Sequence, residues 1–233
     1  MRHWYSLLCS CCLFVLPLIA NSQIRVTHQR LYDTGSTMPA HNTERALLFE
    51  KEPIVKGRII FLGNSITEAG KWAELTGDNS VINRGIGGDI TFDLLRRLDD
   101  VINREPSKLF ILIGINDISK DIPDQVIVDN CKKIISKIKQ QSPFTKIYVQ
   151  SILPLNTAVT GFPQHYDKMG HVSSVNILLE KMTAQSGCTF VNLYPLFLDA
   201  DKRLDKKYTI DGLHLKAEGY KVWVRYLRQK KYL

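Results

Sequence analysis

Residues 58–70 read RIIFLGNSITEAG, and the other elements of the chain are arranged around this stretch. Its opening run, 58–62, is mostly apolar and rich in β-branched and aromatic side chains, which predicts a short buried strand. Gly63-Asn64-Ser65 interrupts the run, and the residues that follow can begin a helix. A polar turn between a strand and its helix lies at the carboxyl end of a parallel sheet, where ligands of open α/β folds bind.

Ser65 has two interpretations at this point. Serine is a preferred N-cap residue, so its side chain could simply cap the following helix. Alternatively, its hydroxyl is a nucleophile whose backbone N–H, close to a helix N-terminus, favours a developing negative charge. The choice depends on which other polar side chains the fold brings to the same place.

The N-terminal residues predict an export signal. Residues 13–19 are an apolar run too short to span a membrane, and residues 20–22 carry the small side chains that a signal peptidase reads. We expect residues 1–22 to be a signal peptide cleaved before Gln23, and the protein to be periplasmic or secreted. Lipidation at Cys11 is an alternative, but it would leave the most apolar stretch after the cleavage point.

The mature chain is long enough for one substantial domain with its own core. We expect residues 23–57 to be an N-terminal approach segment that contains a short helix and no catalytic residues. Residues 58–233 are expected to form the domain. Apolar residues are 44% and charged residues 23% of the chain, as in ordinary globular proteins.

The net charge of +8 could indicate an anionic partner. The Lys and Arg residues are nevertheless spread along the chain apart from the tail 225–231, and no zinc-finger spacing or RNA-binding aromatic motif accompanies them. We therefore expect a solvated basic surface, with neither a nucleic-acid partner nor stable insertion into a membrane. The sequence leaves the oligomeric state open.

Two cysteines remain after the predicted signal, Cys131 and Cys188. In an oxidising compartment they could pair, or they could be two small buried residues. The helical spacing of apolar residues around Cys131 favours a core position over a reactive thiol. No Cys/His cluster indicates a metal.

Strand-like and helix-like segments alternate along the domain. This alternation predicts an α/β sandwich with a parallel sheet and right-handed crossovers. One helix is expected to be capped by Thr91 and stopped by Pro106, with its apolar face running from Leu94 to Ile102. The strands are expected at 58–62, 81–83, 109–113, 146–151 and 189–192. Polar clusters follow the strands or precede the last helix, so they should converge at one sheet edge.

Those clusters contain the groups that ester cleavage requires. Attack on an ester carbonyl needs a nucleophile, a base and a group that orients the base. Ser65 supplies a hydroxyl, and Asp211, three residues before His214, can fix the tautomer of that histidine. Asp199 or Asp205 could instead orient the base.

Donors for the oxyanion are also present. The backbone N–H groups of Ser65 and Gly88 and the side-chain amide of Asn116 could form a three-donor oxyanion hole. Asp89 and Asp117, next to two of these donors, are expected to be structural.

Three aromatic side chains near these clusters remain ambiguous. Trp72 is expected either in the core or as a wall of the site. His165 and His171 lie near a loop with Gly and two prolines that is expected to line the site. Either could touch substrate, although an isolated loop histidine is more often solvated.

Four sequence blocks together resemble the SGNH or GDSL family of esterases and acylhydrolases. The blocks are GNSIT (63–67), NRGIGGD (83–89), GIND (114–117) and DGLH (211–214). The glycine block is especially similar to that of the subgroup containing platelet-activating-factor acetylhydrolase subunits and bacterial carbohydrate acetylesterases. Two positions depart from the usual GDSL block, with Asn64 in place of Asp and Ile66 in place of Leu.

The resemblance implies a flavodoxin-like three-layer α/β/α fold with a five-stranded parallel sheet and no metal or cofactor. By position, it implies that Ser65 is the nucleophile, that Gly88 and Asn116 are oxyanion donors with the Ser65 N–H, and that Asp211 and His214 complete the triad. We expect an exported serine esterase acting on O-acetyl groups of carbohydrate. A lipid acylhydrolase such as a lysophospholipase is the main alternative, and a catalytically silent glycan-binding module is a more distant one.

Overall fold

The computed structural model describes residues 40–159 and 161–233. The predicted signal peptide, 1–22, and residues 23–39 of the approach segment lie outside the described residues. Within the described part, five strands form one parallel sheet in the order β2-β1-β3-β4-β5. They are Ile59–Gly63 (β1), Ile82–Gly85 (β2), Lys108–Leu112 (β3), Lys146–Gln150 (β4) and Thr189–Val191 (β5). This order is the flavodoxin-like one, so the predicted fold class is confirmed.

The helices are Ala40–Lys51 (α1), Ser65–Glu68 (α2), Trp72–Thr76 (α3), Thr91–Arg96 (α4), Leu98–Asn103 (α5), Ile115–Ser119 (α6), Asp124–Gln141 (α7), Met169–Gln185 (α8) and Ala217–Gln229 (α9). Several of them fall into two groups by their contacts. One group contains α3 and α9, which touch each other, and in the other α4, α5 and α8 each touch α7. Since β1 and β3 are buried at every residue after the first, both faces of the sheet are covered.

Stacked aromatic rings fill the core on the face of the sheet to which Phe61 of β1 points. The ring of Phe61 stacks on Trp72 with centroids 3.9 Å apart and on Phe110 at 4.8 Å. Trp223 of α9 meets Trp72 edge-on at 4.9 Å. Such pairs add about 0.5–1.5 kcal/mol each beyond the area they bury. Trp72 is therefore a core residue and not a wall of the site.

The prediction of a single helix between Thr91 and Pro106 is wrong. The chain instead forms two helices, α4 and α5, with a break at Arg97. The guanidinium of Arg97 turns inward and donates to Asp89 Oδ2 at 2.8 Å and to Gly63 O at 3.0 Å. A charged group drawn into the interior must be paired there, which accounts for the interruption of the apolar helical pattern.

Both cysteines are free thiols. Cys131 is buried on α7, as its helical spacing predicted, and burial raises the pKa of its thiol well above the ordinary range. Cys188 is partly exposed after α8, and burial also raises its thiol pKa. No disulfide joins the two.

Candidate active site

The turn after β1 presents Ser65 as the first residue of α2. Asn64 is the N-cap of this helix, and its Oδ1 accepts the Ile66 N–H at 3.1 Å. Capping of the helix by Ser65 is therefore the wrong interpretation. A first helical residue has no acceptor for its N–H within the helix, so the Ser65 N–H remains available.

Asn64 carries out this capping while fully buried. Its Nδ2 has no hydrogen-bond partner among the described residues. The cap needs only one oxygen acceptor, and Asn supplies it as Asp would. Because the Asn64 amide is neutral, the chain avoids the free-energy cost of burying a charged carboxylate beside the nucleophile.

Glycines bring the second loop of the site up to this turn. A Cβ on Gly85, the last residue of β2, would lie 2.1 Å from the backbone N of Glu68, so only glycine allows α2 to pack here. The chain then turns over residues 86–89, with the Asp89 N–H donating to Ile86 O at 3.2 Å. Gly88 occupies the third position of this turn at φ +82°, which is the type II geometry that demands glycine.

Asn116 reaches the same loop from the other side of β1. It lies in α6, which begins directly after β3, and its Nδ2 donates to Asp89 O at 3.0 Å. That bond uses one of the two amide hydrogens and sets the orientation of the other. The carboxyl ends of β1, β2 and β3 thus carry Ser65, Gly88 and Asn116 to one edge of the sheet.

The loop before α9 is folded around Asp211. Its Oδ1 accepts the backbone N–H groups of Leu213 at 2.9 Å and His214 at 2.8 Å. Its Oδ2 lies 2.7 Å from His214 Nδ1. Burial alone would raise the pKa of Asp211, but these hydrogen bonds outweigh it and the pKa lies below its ordinary value.

The histidine then points at the serine. Because an ionised carboxylate can only accept, the proton of His214 resides on Nδ1 and leaves Nε2 as an acceptor. That nitrogen lies 2.9 Å from Ser65 Oγ, although the two residues are 149 positions apart in sequence. A hydroxyl, an imidazole and a carboxylate therefore form one continuous chain of hydrogen bonds.

The sequence model of the GDSL-like lipase/acylhydrolase family matches residues 61–222. The chain belongs to this family. It is an ester hydrolase, and the resemblance drawn from its four sequence blocks is confirmed.

Curated and solved relatives agree with this assignment. A GDSL-like lipase from Bacteroides thetaiotaomicron is 26% identical with a TM-score of 0.71, and the match covers 83% of this chain and 99% of that one. The platelet-activating factor acetylhydrolase IB subunit alpha1 of Rattus norvegicus is 25% identical over 200 residues, which is 82% of this chain and 81% of the relative. An arylesterase of Vibrio mimicus is 29% identical over 168 residues, covering 72% and 74%.

Asp199 and Asp205, the other candidates for orienting the base, do not contact His214. Asp199 accepts backbone N–H groups from Asp201 and Arg203, and Asp205 accepts the N–H of Lys207. Both carboxylates stabilise their own surface turns. Asp211 is the carboxylate that contacts His214.

A buried ion pair behind the glycine loop was not anticipated from the sequence. Asp89 is fully buried and pairs with Arg97, whose Nη2 donates to Gly63 O and Arg84 O. Desolvation lowers the pKa of Arg97, while Asp89 favours its charged form. The pair therefore joins the carboxyl ends of β1 and β2 to the Gly88 turn, and Asp89 has the structural position expected for it.

Asp117 also has a structural position. It is fully buried, and its carboxylate accepts the backbone N–H of Thr91 at 3.0 Å and the Thr91 hydroxyl at 2.5 Å. This carboxylate therefore anchors the start of α4 against α6. Burial raises the pKa of Asp117 to about 6, although the bonds from Thr91 oppose the shift.

The loop that follows β4 lines the histidine side of the site. The Phe162 ring meets the His214 ring edge-on with centroids 5.0 Å apart, and His165 lies behind it at 5.9 Å from Phe162. His165 is buried and neither ring nitrogen has a partner among the described residues, so the expectation of a solvated histidine is wrong. Burial lowers its pKa to about 4, with the neighbouring His214 acting in the same direction. His171 is exposed and pairs with Asp124.

Residues 40–159 and 161–233 contain no group of three or more His, Cys, Asp or Glu side chains arranged to hold a metal ion. In the same ranges, no helix is long and apolar enough to cross a membrane.

Proposed function

We propose that Ser65, His214 and Asp211 are the catalytic triad of this ester hydrolase. The observation that carries the proposal is the unbroken chain from Ser65 Oγ to His214 Nε2 at 2.9 Å and from His214 Nδ1 to Asp211 Oδ2 at 2.7 Å. A serine hydroxyl is a weak nucleophile unless an adjacent base takes its proton, and the chain supplies that base with its tautomer set.

The proposed reaction has two halves. In the first, Ser65 Oγ attacks the ester carbonyl while its proton passes to His214 Nε2, and collapse of the tetrahedral intermediate expels the alcohol, which takes that proton. The acyl group is then bound to Ser65. In the second half, His214 takes a proton from water, the resulting hydroxide attacks the acyl carbon, and the acid leaves as Ser65 recovers its proton.

The intermediate of each half carries a negative oxygen. The Ser65 N–H, the Gly88 N–H and the second amide hydrogen of Asn116 are the proposed donors to it. Fixed donors of this kind stabilise the transition state more than the ground state, because the negative charge develops on this oxygen only as the carbonyl is attacked.

The substrate we propose is an O-acetyl group on a carbohydrate. Two observations support it. The name of the rat relative identifies it as an acetylhydrolase. In this chain, the half-buried Phe162 ring next to His214 offers an apolar surface on the side where the alcohol would leave. Export by the signal peptide, residues 1–22, is part of the same proposal. A lipid acylhydrolase remains the second candidate because the family to which the chain belongs is described as one of GDSL-like lipases and acylhydrolases.

Hydrolysis of a p-nitrophenyl ester series from acetate to long chains tests the proposal, with wild type and Ser65→Ala compared. We expect Ser65→Ala to lower kcat by about 10⁴ to 10⁶. We also expect wild-type activity to fall sharply beyond acetate, and acetate to be released from acetylated oligosaccharides. Rising activity with chain length would favour the lipid acylhydrolase, and a Ser65→Ala variant with near-wild-type turnover would rule out the triad. N-terminal sequencing of the mature protein tests cleavage before Gln23.

A further inference from the structure

Two adjacent residues of α6 hold the loop between β2 and α4. Asn116 Nδ2 donates to Asp89 O at 3.0 Å, and the Asp117 carboxylate accepts the Thr91 N–H at 3.0 and 3.1 Å. Only Ile90 lies between the two attachment points. Helix α6 therefore holds this loop at two places that are two residues apart.

The start of α4 depends on one of these attachments. Thr91 is the first residue of α4, so its N–H has no acceptor within that helix. The N-cap residue, Ile90, has no side-chain oxygen that could supply one. Asp117 provides the acceptor from another element, so the position at which the loop enters α4 is set by a side chain of α6.

The Thr91 hydroxyl makes the same connection a second time. It accepts from Asn130 Nδ2 of α7 at 3.0 Å, so its single hydrogen is directed to Asp117, whose Oδ1 lies 2.5 Å away. Thr91 and Asp117 are fully buried, so water does not compete for this bond. One threonine side chain thereby joins the loop to α6 and α7.

We propose that Thr91 and Asp117 are positioning residues for the oxyanion hole. Two of its proposed donors, the Gly88 N–H and the Asn116 amide, belong to different elements and must face the same oxygen. Gly88 lies three residues before Thr91, and Asn116 is the neighbour of Asp117, so the bonds between Thr91 and Asp117 set the spacing of the two donors. This inference rests on the proposed triad and oxyanion hole, and it gives a role in turnover to two residues outside the triad and the set of donors.

The bond from Asn116 to Asp89 O alone would leave that spacing loose. One hydrogen bond fixes a distance but permits rotation about it, and the second attachment two residues later removes that freedom. Orientation matters because a donor stabilises the transition state only when it lies at hydrogen-bond distance from the developing oxyanion. A shift of the loop relative to α6 therefore lowers kcat and leaves the binding of the neutral ester nearly unchanged.

Thr91→Val and Thr91→Ser form the test pair. Valine keeps the shape of threonine but lacks the hydroxyl, whereas serine keeps the hydroxyl. On p-nitrophenyl acetate we expect Thr91→Val to lower kcat by about tenfold, less than the loss of a whole donor, with KM changed less than about twofold. Thr91→Ser should stay within about twofold of wild type. An unchanged kcat in Thr91→Val, or equal losses in the two variants, would overturn the proposal.

Thr91→Ala takes the place of Thr91→Val if the latter does not fold. It removes the hydroxyl without putting an apolar group against the Asp117 carboxylate. The same fall in kcat is expected, and the same outcomes count against the proposal.

A double-mutant cycle with Asn116→Ala separates positioning from general damage to the fold. If Thr91 acts through the placement of Asn116, its substitution has less to disturb once that amide is gone. We expect Thr91→Val to lower kcat by less than about threefold in the Asn116→Ala background, against about tenfold in wild type. Equal factors in the two backgrounds would show that the loss has another cause and would also overturn the proposal.

Thr183→Val is the matched control. Thr183 is also fully buried, and its hydroxyl donates to Leu179 O at 2.6 Å within α8. Its kcat should stay within about twofold of wild type, and a loss as large as that of Thr91→Val would count against a specific role for Thr91. Ser65→Ala is assayed alongside. Near-wild-type turnover by Ser65→Ala would overturn the triad, whereas its loss together with an unchanged Thr91→Val would overturn only the positioning role.

Discussion

Asp211 holds His214 at two points of the same residue. Its Oδ2 lies 2.7 Å from the imidazole Nδ1, and its Oδ1 accepts the histidine's own backbone N–H at 2.8 Å. The carboxylate thus fixes the tautomer of the ring and the position of the loop that carries it. A spacing of three residues is what allows one side chain to make both contacts.

Asp211→Asn should abolish most activity while leaving the loop in place. The new Oδ1 can still accept the two backbone N–H groups, but the amide cannot accept the Nδ1 proton, so the ring is held in the wrong tautomer. We expect kcat to fall by about 10⁴ in steady-state assays with p-nitrophenyl acetate. Asp205→Asn is the control and should keep kcat within threefold, whereas a large loss there would make Asp205 the orienting group.

Asn116→Ala should slow turnover with little effect on binding. It removes an amide hydrogen that is needed only when the oxyanion forms, together with the bond to Asp89 O, so we expect kcat to fall by about 10² to 10³ and KM to stay within a few-fold. Ser119→Ala on the same helix removes only a bond to Asn116 O and should remain near wild type. An equal fall in both variants would point to damage to α6 as a whole.

Asp117→Asn should change how stability depends on pH. The folded pKa of Asp117 is about 6, above its ordinary value of 3.8, so its favourable contribution is complete below pH 3.8 and is lost as pH rises through 6. Relative to Asp117→Asn, wild type should therefore lose about 2–3 kcal/mol of unfolding free energy between pH 4 and pH 7. Urea unfolding at several pH values measures this difference, and a constant difference would contradict the prediction.

His165→Phe should give a pH dependence of the opposite sign. The folded pKa of His165 is about 4, below its ordinary 6.5, so its contribution is complete above pH 6.5 and is lost as pH falls through 4. Relative to His165→Phe, wild type should lose about 2–3 kcal/mol of unfolding free energy from pH 7 to pH 4. Urea unfolding of both proteins at several pH values measures this change, and a difference that stays the same at every pH would contradict the prediction.

The strands could be predicted because each is a short apolar run between turn residues. A strand buried on both faces must be apolar at nearly every position, and that requirement is visible in residues 59–62 and 109–112. The pairing of Asp211 with His214 could also be predicted, since it depends on a spacing of three residues in one loop.

The break at Arg97 and the burial of His165 could not be predicted in the same way. An arginine within a helical pattern is ordinarily predicted to face solvent. Arg97 faces the interior because Asp89 and Gly63, which lie elsewhere in the sequence, supply acceptors for its guanidinium there. His165 is buried because its loop packs against the loop that carries Asp211, and no local signal marks a loop histidine for burial.

Local periodicity and short motifs are enough to predict the order of the strands and helices along the chain, the family, and the residue types at the carboxyl edge of the sheet. The folded chain was needed to show that Ser65 meets His214 across 149 residues, and that Arg45 reaches Glu68 and Gly85 from a helix with no motif of its own. Such contacts depend on how whole elements pack together, and no short stretch of sequence carries that information.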